Sequence, residues 1–219
     1  KGSLKADTLD VLEAAGLDVS ELRDPGRHLI VRGRDTHAGE GAVGDIEFVI
    51  VRPSDAPAFV GCGGADCGIC GWDSLIEADL NLLQLVDLGY GLCTFIEAEP
   101  AWRAGQAERN YARRGSLRVA TKYPAIARRF YAAQSREIEI IKLNGSVELG
   151  PVIGLSDVIL DIVESGATLK ANGLSVIEEI CTCSARLVVN RVSLKTKEKS
   201  IRPLIDGLRK QIEMRKDEA

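Results

Sequence analysis

Between Val158 and Leu169 the chain reads VILDIVESGATL: an apolar run, two carboxylates, then a turn of small and hydroxyl-bearing residues. The strand pattern from Val158 to Val163 carries Asp161 toward its C-terminal end, with Glu164 just beyond. Ser165, Gly166, Ala167 and Thr168 then make a tight turn. A glycine at 166 lets the main chain approach a ligand closely. Successive N–H groups plus two hydroxyls form a nest suited to a phosphate monoester, and Asp161 and Glu164 can accept hydrogen bonds from vicinal hydroxyls. A phosphate nest beside a diol acceptor is what a ribose 5-phosphate needs. The plainer reading is an ordinary strand-to-helix turn capped by Ser165, and spacing alone leaves both open.

Two other sets of residues could do chemistry. Cys67-Gly-Ile-Cys70 has the gap of a zinc knuckle or a redox pair. A structural zinc takes about four nitrogen or sulfur ligands, and Cys62 with Cys181 or Cys183 could complete a set only by a coincidence of folding. Small apolar side chains packed in a strand and turn are the expected role. With Cys93, the six cysteines of a chain without a secretory signal are expected to be reduced thiols in a cytoplasm. His28 and His37 have no partner at metal-ligand spacing.

The elements that must position these residues alternate between helix and strand. A helix with Leu9, Leu12 and Leu17 on one face stops at Gly16. Extended runs follow at 27–32 and 45–52, with glycines between Asp35 and Gly44 suggesting a hairpin or a mobile loop. A short helix starts at Ser54-Asp55-Ala56-Pro57. Further strands are expected at 65–70, 117–121, 137–143, 158–163 and 185–190, with a helix after Pro124 and a last helix that Pro203 starts or kinks. Such alternation predicts an α/β fold with mostly parallel sheets, which bind ligands at the carboxyl ends of their strands.

Composition narrows the classes. Of 219 residues, 28 are Lys or Arg and 32 are Asp or Glu, a net charge of -4. That provides no global positive field for nucleic acid or an anionic membrane. No apolar run approaches the roughly 18–20 residues of a membrane span. The basic stretch from Lys195 to Lys216 is interspersed with acids and reads as a solvated helix face.

A family resemblance rests on ordered blocks along nearly the whole chain. Glu148, Gly154, Ser156, Ile159, Asp161, Ile162, Ser165, Gly166, Thr168 and Leu169 fall at the spacing of the ATP phosphoribosyltransferase signature. Lys1-Gly2-Ser3-Leu4 is similar to that family's KGSL turn. Arg52-Pro-Ser-Asp55-Ala-Pro57-Ala-Phe-Val60 resembles its R-x-x-D-x-P-x-Y-V. Gly63 to Asp73 resembles GAADLGITGKD, Arg118 to Tyr123 resembles RVATKY, and Arg186 to Asn190 resembles RLIVN. Cys67, Cys70 and Trp72 depart from the pattern, and the family's strand before the KGSL turn lies outside this sequence.

The resemblance implies a bilobal fold like that of periplasmic binding proteins: two mixed or parallel sheets flanked by helices, with a cleft between lobes. The first lobe would comprise residues 1–92 and 184–219, and the second, 93–183, would carry the PRPP-binding loop. The implied reaction transfers phosphoribose from phosphoribosyl pyrophosphate (PRPP) to N1 of ATP with Mg2+, releasing pyrophosphate at the first step of histidine biosynthesis. Arg27 is the implied contact for the leaving group. Glu148, Asp161, Glu164, the turn Ser165, Gly166, Ala167 and Thr168, and Lys1 would bind PRPP. Arg52, Asp73 and Lys122 would bind ATP. No protein ligand for the metal is assigned, since substrate phosphates would hold it. A homodimer is implied, as is the short form of the family, which works with a regulatory subunit resembling histidyl-tRNA synthetase; a trimmed long form is the alternative. The rival readings are a non-catalytic bilobal solute-binding module and a phosphoribosyltransferase acting on another base.

Overall fold

The computed structural model describes residues 2, 4–36 and 44–217. The chain forms two compact units: residues 1–91 with 184–219 make unit 1, and residues 92–183 make unit 2. Unit 1 begins with α1 (Lys5–Ala14), α2 (Ser20–Arg23), β1 (Ile30–Arg34), β2 (Asp45–Val49), α3 (Ala56–Gly61), β3 (Cys67–Gly71), α4 (Trp72–Ala78) and β4 (Leu83–Asp87). Unit 2 contains β5 (Cys93–Pro100), a 3-10 turn (Ala101–Arg103), α5 (Gln106–Arg114), β6 (Leu117–Thr121), α6 (Pro124–Ala133), β7 (Ile138–Lys142), α7 (Leu149–Val152), β8 (Val158–Val163), α8 (Ala167–Ala171) and β9 (Leu174–Cys183). The chain then returns to unit 1 as β10 (Ala185–Val189), α9 (Arg191–Thr196) and α10 (Glu198–Asp217).

In unit 1, α1 buries Leu9, Val11 and Leu12. Gly16, at φ +87, ends the helix and lets Leu17 turn back into the same core as Leu187 and Leu208. The ribbon begins later than its apolar run suggests, at Ile30 rather than residue 27, and pairs antiparallel with Arg34 opposite Asp45. Residues 37–43, including His37, lie outside the described residues. On either side of them the Asp35 N–H donates to the Gly44 carbonyl at 3.2 Å, as a hairpin requires. Pro203 falls inside α10, not at its start.

The three-stranded sheet of unit 1 has the order β3-β10-β4, and β10 is antiparallel to both neighbours. This corrects the expectation of mostly parallel pairing. The strands β3 and β4 run in one sense before the excursion into unit 2, and the returning β10 slots between them in the opposite sense. Asn190 fixes the turn that follows: its Oδ1 accepts the N–H groups of Val192 (2.8 Å) and Ser193 (3.1 Å), and its Nδ2 donates to the Val60 carbonyl at 2.8 Å. Two faces of the helix start are satisfied by one side chain.

Unit 2 has a five-stranded mixed sheet, β7-β6-β8-β5-β9. The pairs β6–β7 and β6–β8 are parallel; β5 is antiparallel to both β8 and β9. One apolar cluster joins Ile96, Ala98, Ala120, Val147, Ile159 and Leu169. Among the described residues no helix is long and apolar enough to cross a membrane.

Candidate active site

Because β6, β7 and β8 are parallel, the segments that follow them leave one edge of the sheet. Those segments begin at Lys122, Leu143 and Glu164. Thr121 on β6 is the register partner of Leu160 on β8, so Lys122 and Asp161 are the next residues along the two strands. Thr121 is buried, and its hydroxyl accepts the Tyr123 N–H at 2.9 Å. Tyr123 packs edge-on against Phe95, with centroids 5.0 Å apart. This locks the backbone around Lys122, whose side chain is exposed with Nζ 5.5 Å from the Tyr123 ring centre.

The signature turn sits at the same edge. Asp161 is half-buried within β8, opposite Ile96, and its Oδ1 accepts the Ile162 N–H at 2.8 Å. Glu164 and Ser165 follow, exposed. Gly166 takes φ +69, and a Cβ built there would meet nothing within 4 Å. The glycine is therefore required by its backbone conformation, and it faces open space. Ala167 and Thr168 open α8, where first-turn N–H groups have no intrahelical acceptor; the Ser165 hydroxyl lies 3.5 Å from the Ala167 nitrogen.

Glu148 precedes α7, half-buried. A Cβ on Gly150 would come within 2.7 Å of the Ala120 Cβ and 2.8 Å of the Ser156 hydroxyl. Only glycine lets α7 lie this close to β6. Val147 before Glu148 and Leu169 after Thr168 enter the same apolar cluster, so the two segments that supply the polar residues share one anchor. Unit 2 thus brings together Glu148, Asp161, Glu164, Ser165, Gly166, Ala167, Thr168 and Lys122 at one sheet edge and the segments leaving it.

In unit 1, Arg27 is exposed in the turn where the His28 N–H donates to the Pro25 carbonyl (2.9 Å), ahead of β1. The Ile50 N–H continues the ribbon register by donating to Leu29 at 2.8 Å, which carries Arg27 and Arg52 to the same open end. The Arg52 carbonyl accepts the N–H groups of Asp55 (2.9 Å) and Ala56 (3.2 Å) ahead of α3. Asp73 is the second residue of α4, and its Oδ2 accepts the Ser74 hydroxyl at 3.3 Å. Lys1 lies outside the described residues.

Cys67 and Cys70 are three apart on β3, so they point to opposite faces; the knuckle spacing cannot act as one chelate. Burial pushes the Cys67 thiol up to about 11, with Asp66 adding to it, and the Cys70 thiol up to about 12, with Asp73 adding.

Two buried polar centres went unread in the sequence. Asp157, its side chain 1% exposed, accepts the Arg118 N–H (2.8 Å), Asn110 Nδ2 (2.8 Å) and the Arg114 guanidinium. Burial works against its charge, but those donors prevail and hold the carboxyl below its usual range. Glu97 is 3% exposed and accepts the Tyr131 hydroxyl at 2.7 Å. Burial pushes this carboxyl up; Tyr131 and Arg136 offset part of that effect, while Glu178 and Glu99 reinforce it. The only signal available was an acid alternating with apolar residues in TFIEAEP.

The family model described as "HisG: ATP phosphoribosyltransferase" matches residues 52–210. An ATP phosphoribosyltransferase of Rubrobacter xylanophilus is 45% identical over 205 residues, 94% of this chain and 90% of that protein. Among solved structures, the ATP phosphoribosyl transferase (HisG:HisZ) complex from Thermotoga maritima contains a chain that is 32% identical with a TM-score of 0.75, covering 98% of this chain and 96% of that one. Tv2483 bound to L-arginine shares the fold alone, at 15% identity and a TM-score of 0.54 over 78% of this chain and 69% of that one. The fold and these matches define an enzyme of the glycosyltransferase class that moves a phosphoribosyl group. The chain belongs to the ATP phosphoribosyltransferase family. Its activity is transfer of phosphoribose from PRPP to ATP, the first step of histidine biosynthesis. The solute-binding alternative is not favoured, since the arginine-bound protein is similar in fold only.

Proposed function

We propose that PRPP binds at the C-terminal edge of β6 and β8, with its 5-phosphate in the turn Ser165–Thr168 and its ribose hydroxyls on Asp161 and Glu164. The observation that carries this reading is Gly166: a left-handed glycine with open space beyond it, directly ahead of the first-turn N–H groups of α8, which have no intrahelical acceptor. Glu148, anchored through Val147, supplies a further carboxylate to the ribose.

The reaction displaces pyrophosphate from C1 of PRPP by N1 of adenine. Positive character develops on the anomeric carbon while negative charge grows on the departing pyrophosphate. Fixed charges and positioning therefore matter more than a proton donor or acceptor. A guanidinium matches phosphate oxygens in two-pronged fashion. By the family resemblance Arg27 takes the leaving group, assisted by Lys1, and Arg52, Asp73 and Lys122 take ATP. Among the described residues there is no cluster of three or more metal-binding side chains. Mg2+ would be held chiefly by substrate phosphates, with a carboxylate such as Glu148 or Asp161 supplying the hard oxygen it prefers. Bound there, Mg2+ would neutralise part of the pyrophosphate charge.

The Thermotoga chain occurs in a HisG:HisZ complex; by analogy this protein pairs with a HisZ-like subunit, with a homodimer as its own smallest assembly. A cytoplasmic location goes with that metabolic role.

Phosphorus NMR of PRPP tests the site. Adding the protein should shift the 5-phosphate resonance with or without Mg2+, whereas the pyrophosphate resonances should respond strongly only with Mg2+ present. A 5-phosphate resonance that never moves would contradict the assignment.

A further inference from the structure

Three thiols meet on one face of the unit 2 sheet, and phosphoribosyl transfer uses none of them. Cys93 opens β5 and is the register partner of Cys183, the last residue of β9. Cys181 lies two residues earlier on β9, hence on the same face. The Cys181 and Cys183 thiols are hydrogen-bonded, and Cys93 is close enough to act on Cys181 electrostatically. Cys93 and Cys181 are half-buried, and Cys183 is buried.

Directly opposed residues of an antiparallel pair have Cα atoms roughly 4.5–5.5 Å apart, inside the roughly 4.4–6.8 Å that a disulfide spans. Same-strand neighbours such as Cys181 and Cys183 are about 6.4–6.8 Å apart, at the outer limit. We propose that Cys93 and Cys183 are a reversible thiol–disulfide modification site whose oxidant is a low-molecular-weight disulfide such as oxidised glutathione. The half-buried Cys93 thiolate attacks one sulfur of that disulfide, forming a mixed disulfide and expelling one glutathione thiolate. The Cys183 thiolate then attacks the Cys93 sulfur, forming the internal bond and expelling the second. The two cysteine sulfurs lose two electrons in total, glutathione disulfide gains them, and the two thiol protons end on the two glutathiones. The pair needs no metal and no strand rearrangement.

The position gives the bond its consequence. Residues 93–183 are all of unit 2 except Leu92, so the bond closes a covalent ring around the whole unit. Long closed loops restrict the unfolded chain most, and the oxidised protein should melt at a higher temperature than the reduced one.

The experiment uses the full chain carrying Cys62→Ser, which removes the exposed thiol. The protein is incubated with oxidised glutathione, its remaining thiols are alkylated, and it is digested without reductant for mass spectrometry. Before alkylation we expect an intact species lighter by about 2 Da, the loss of two hydrogens, and after digestion one cross-linked peptide pair containing Cys93 and Cys183. Dithiothreitol should restore the original mass and melting temperature. The bond should survive Cys181→Ser and disappear in both Cys93→Ser and Cys93→Ala. A stable glutathione adduct without an internal bond, a cross-link through Cys181, or no oxidation at all would overturn the proposal.

Discussion

Thr121 and Leu160 are register partners in the parallel pair β6–β8, and both are fully buried. Lys122 and the signature turn of the proposed PRPP site follow directly from that pair. One residue further on, the strands deliver Lys122 and Asp161; five residues beyond Asp161 comes Gly166. A sheet edge built this way holds its loops through buried neighbours, so substitutions in the loops should affect ligands more than folding.

Gly166→Val tests that separation. The substitution places a branched side chain in the open space beyond Gly166, where the 5-phosphate is assigned, and PRPP binding should be lost. The left-handed backbone adds strain of roughly 1–2 kcal/mol, and about 1 kcal/mol lowers the melting temperature by about 2–4 °C in a chain of this size. Thr168→Val should cost only about 1.5–3 kcal/mol of binding, one hydrogen bond to a charged group. Calorimetric titration with PRPP, run beside thermal melts, reads both. A Gly166→Val protein that binds PRPP as the parent does would move the phosphate elsewhere.

Arg27→Ala should separate chemistry from binding. Leaving-group charge is larger in the transition state than in the ground state. We expect single-turnover rates to fall by about 10²–10³, with a smaller change in PRPP affinity. Arg27 is exposed in a turn, so its removal should alter stability by no more than about 0.5 kcal/mol. An unchanged rate removes Arg27 from the mechanism.

What the sequence revealed, and what it hid, follows from locality. The turn from Ser165 to Thr168 was legible because strand, glycine and hydroxyls are contiguous and do not depend on distant partners. Asp157 was not, because its ligands Asn110 and Arg114 lie more than forty residues away on α5. The strand β5 was obscured by Glu97 and Glu99, acids unusual in a buried strand; the distant Tyr131 hydroxyl satisfies the first, and the Gly105 N–H, in the turn just beyond the strand, satisfies the second. The strand β9 carries Glu178 and Glu179 on an exposed edge and reads as polar. The antiparallel pairing of β10 depends on where the chain re-enters unit 1, which no local pattern encodes.

Glu97 should make stability fall with rising pH. Its carboxyl titrates above the unfolded value of about 4.3, so its contribution is complete below that value and is lost as pH rises through the folded pKa. Glu97→Gln keeps an acceptor for the Tyr131 hydroxyl and should flatten this slope. Tyr131→Phe strips the carboxyl of its donor and should cost about 1–3 kcal/mol. Urea unfolding across the pH range checks all three proteins; a parallel slope in Glu97→Gln would show that another group sets it.

Asp157 should act with the opposite sign. Its carboxyl titrates below the unfolded value of about 3.9, so its stabilisation is present above that value and is lost as pH falls through the folded pKa. Arg114→Ala should destabilise the protein by about 2–3 kcal/mol at neutral pH, less than for a fully buried pair because Arg114 is 28% exposed. The deficit should shrink in acid as Asp157 protonates. A deficit that stays constant down to the acid transition would mean that Arg114 stabilises by packing alone.

Product analysis tests the central claim most directly. The protein, alone and with a HisZ-like subunit, is incubated with Mg2+, PRPP and ATP, GTP or free adenine, and the products are identified by mass spectrometry and by release of pyrophosphate. Phosphoribosyl-ATP and pyrophosphate should appear in equal amounts with ATP, and the other acceptors should react poorly. Equal turnover of free adenine, or no phosphoribosyl-ATP under either condition, would contradict the account.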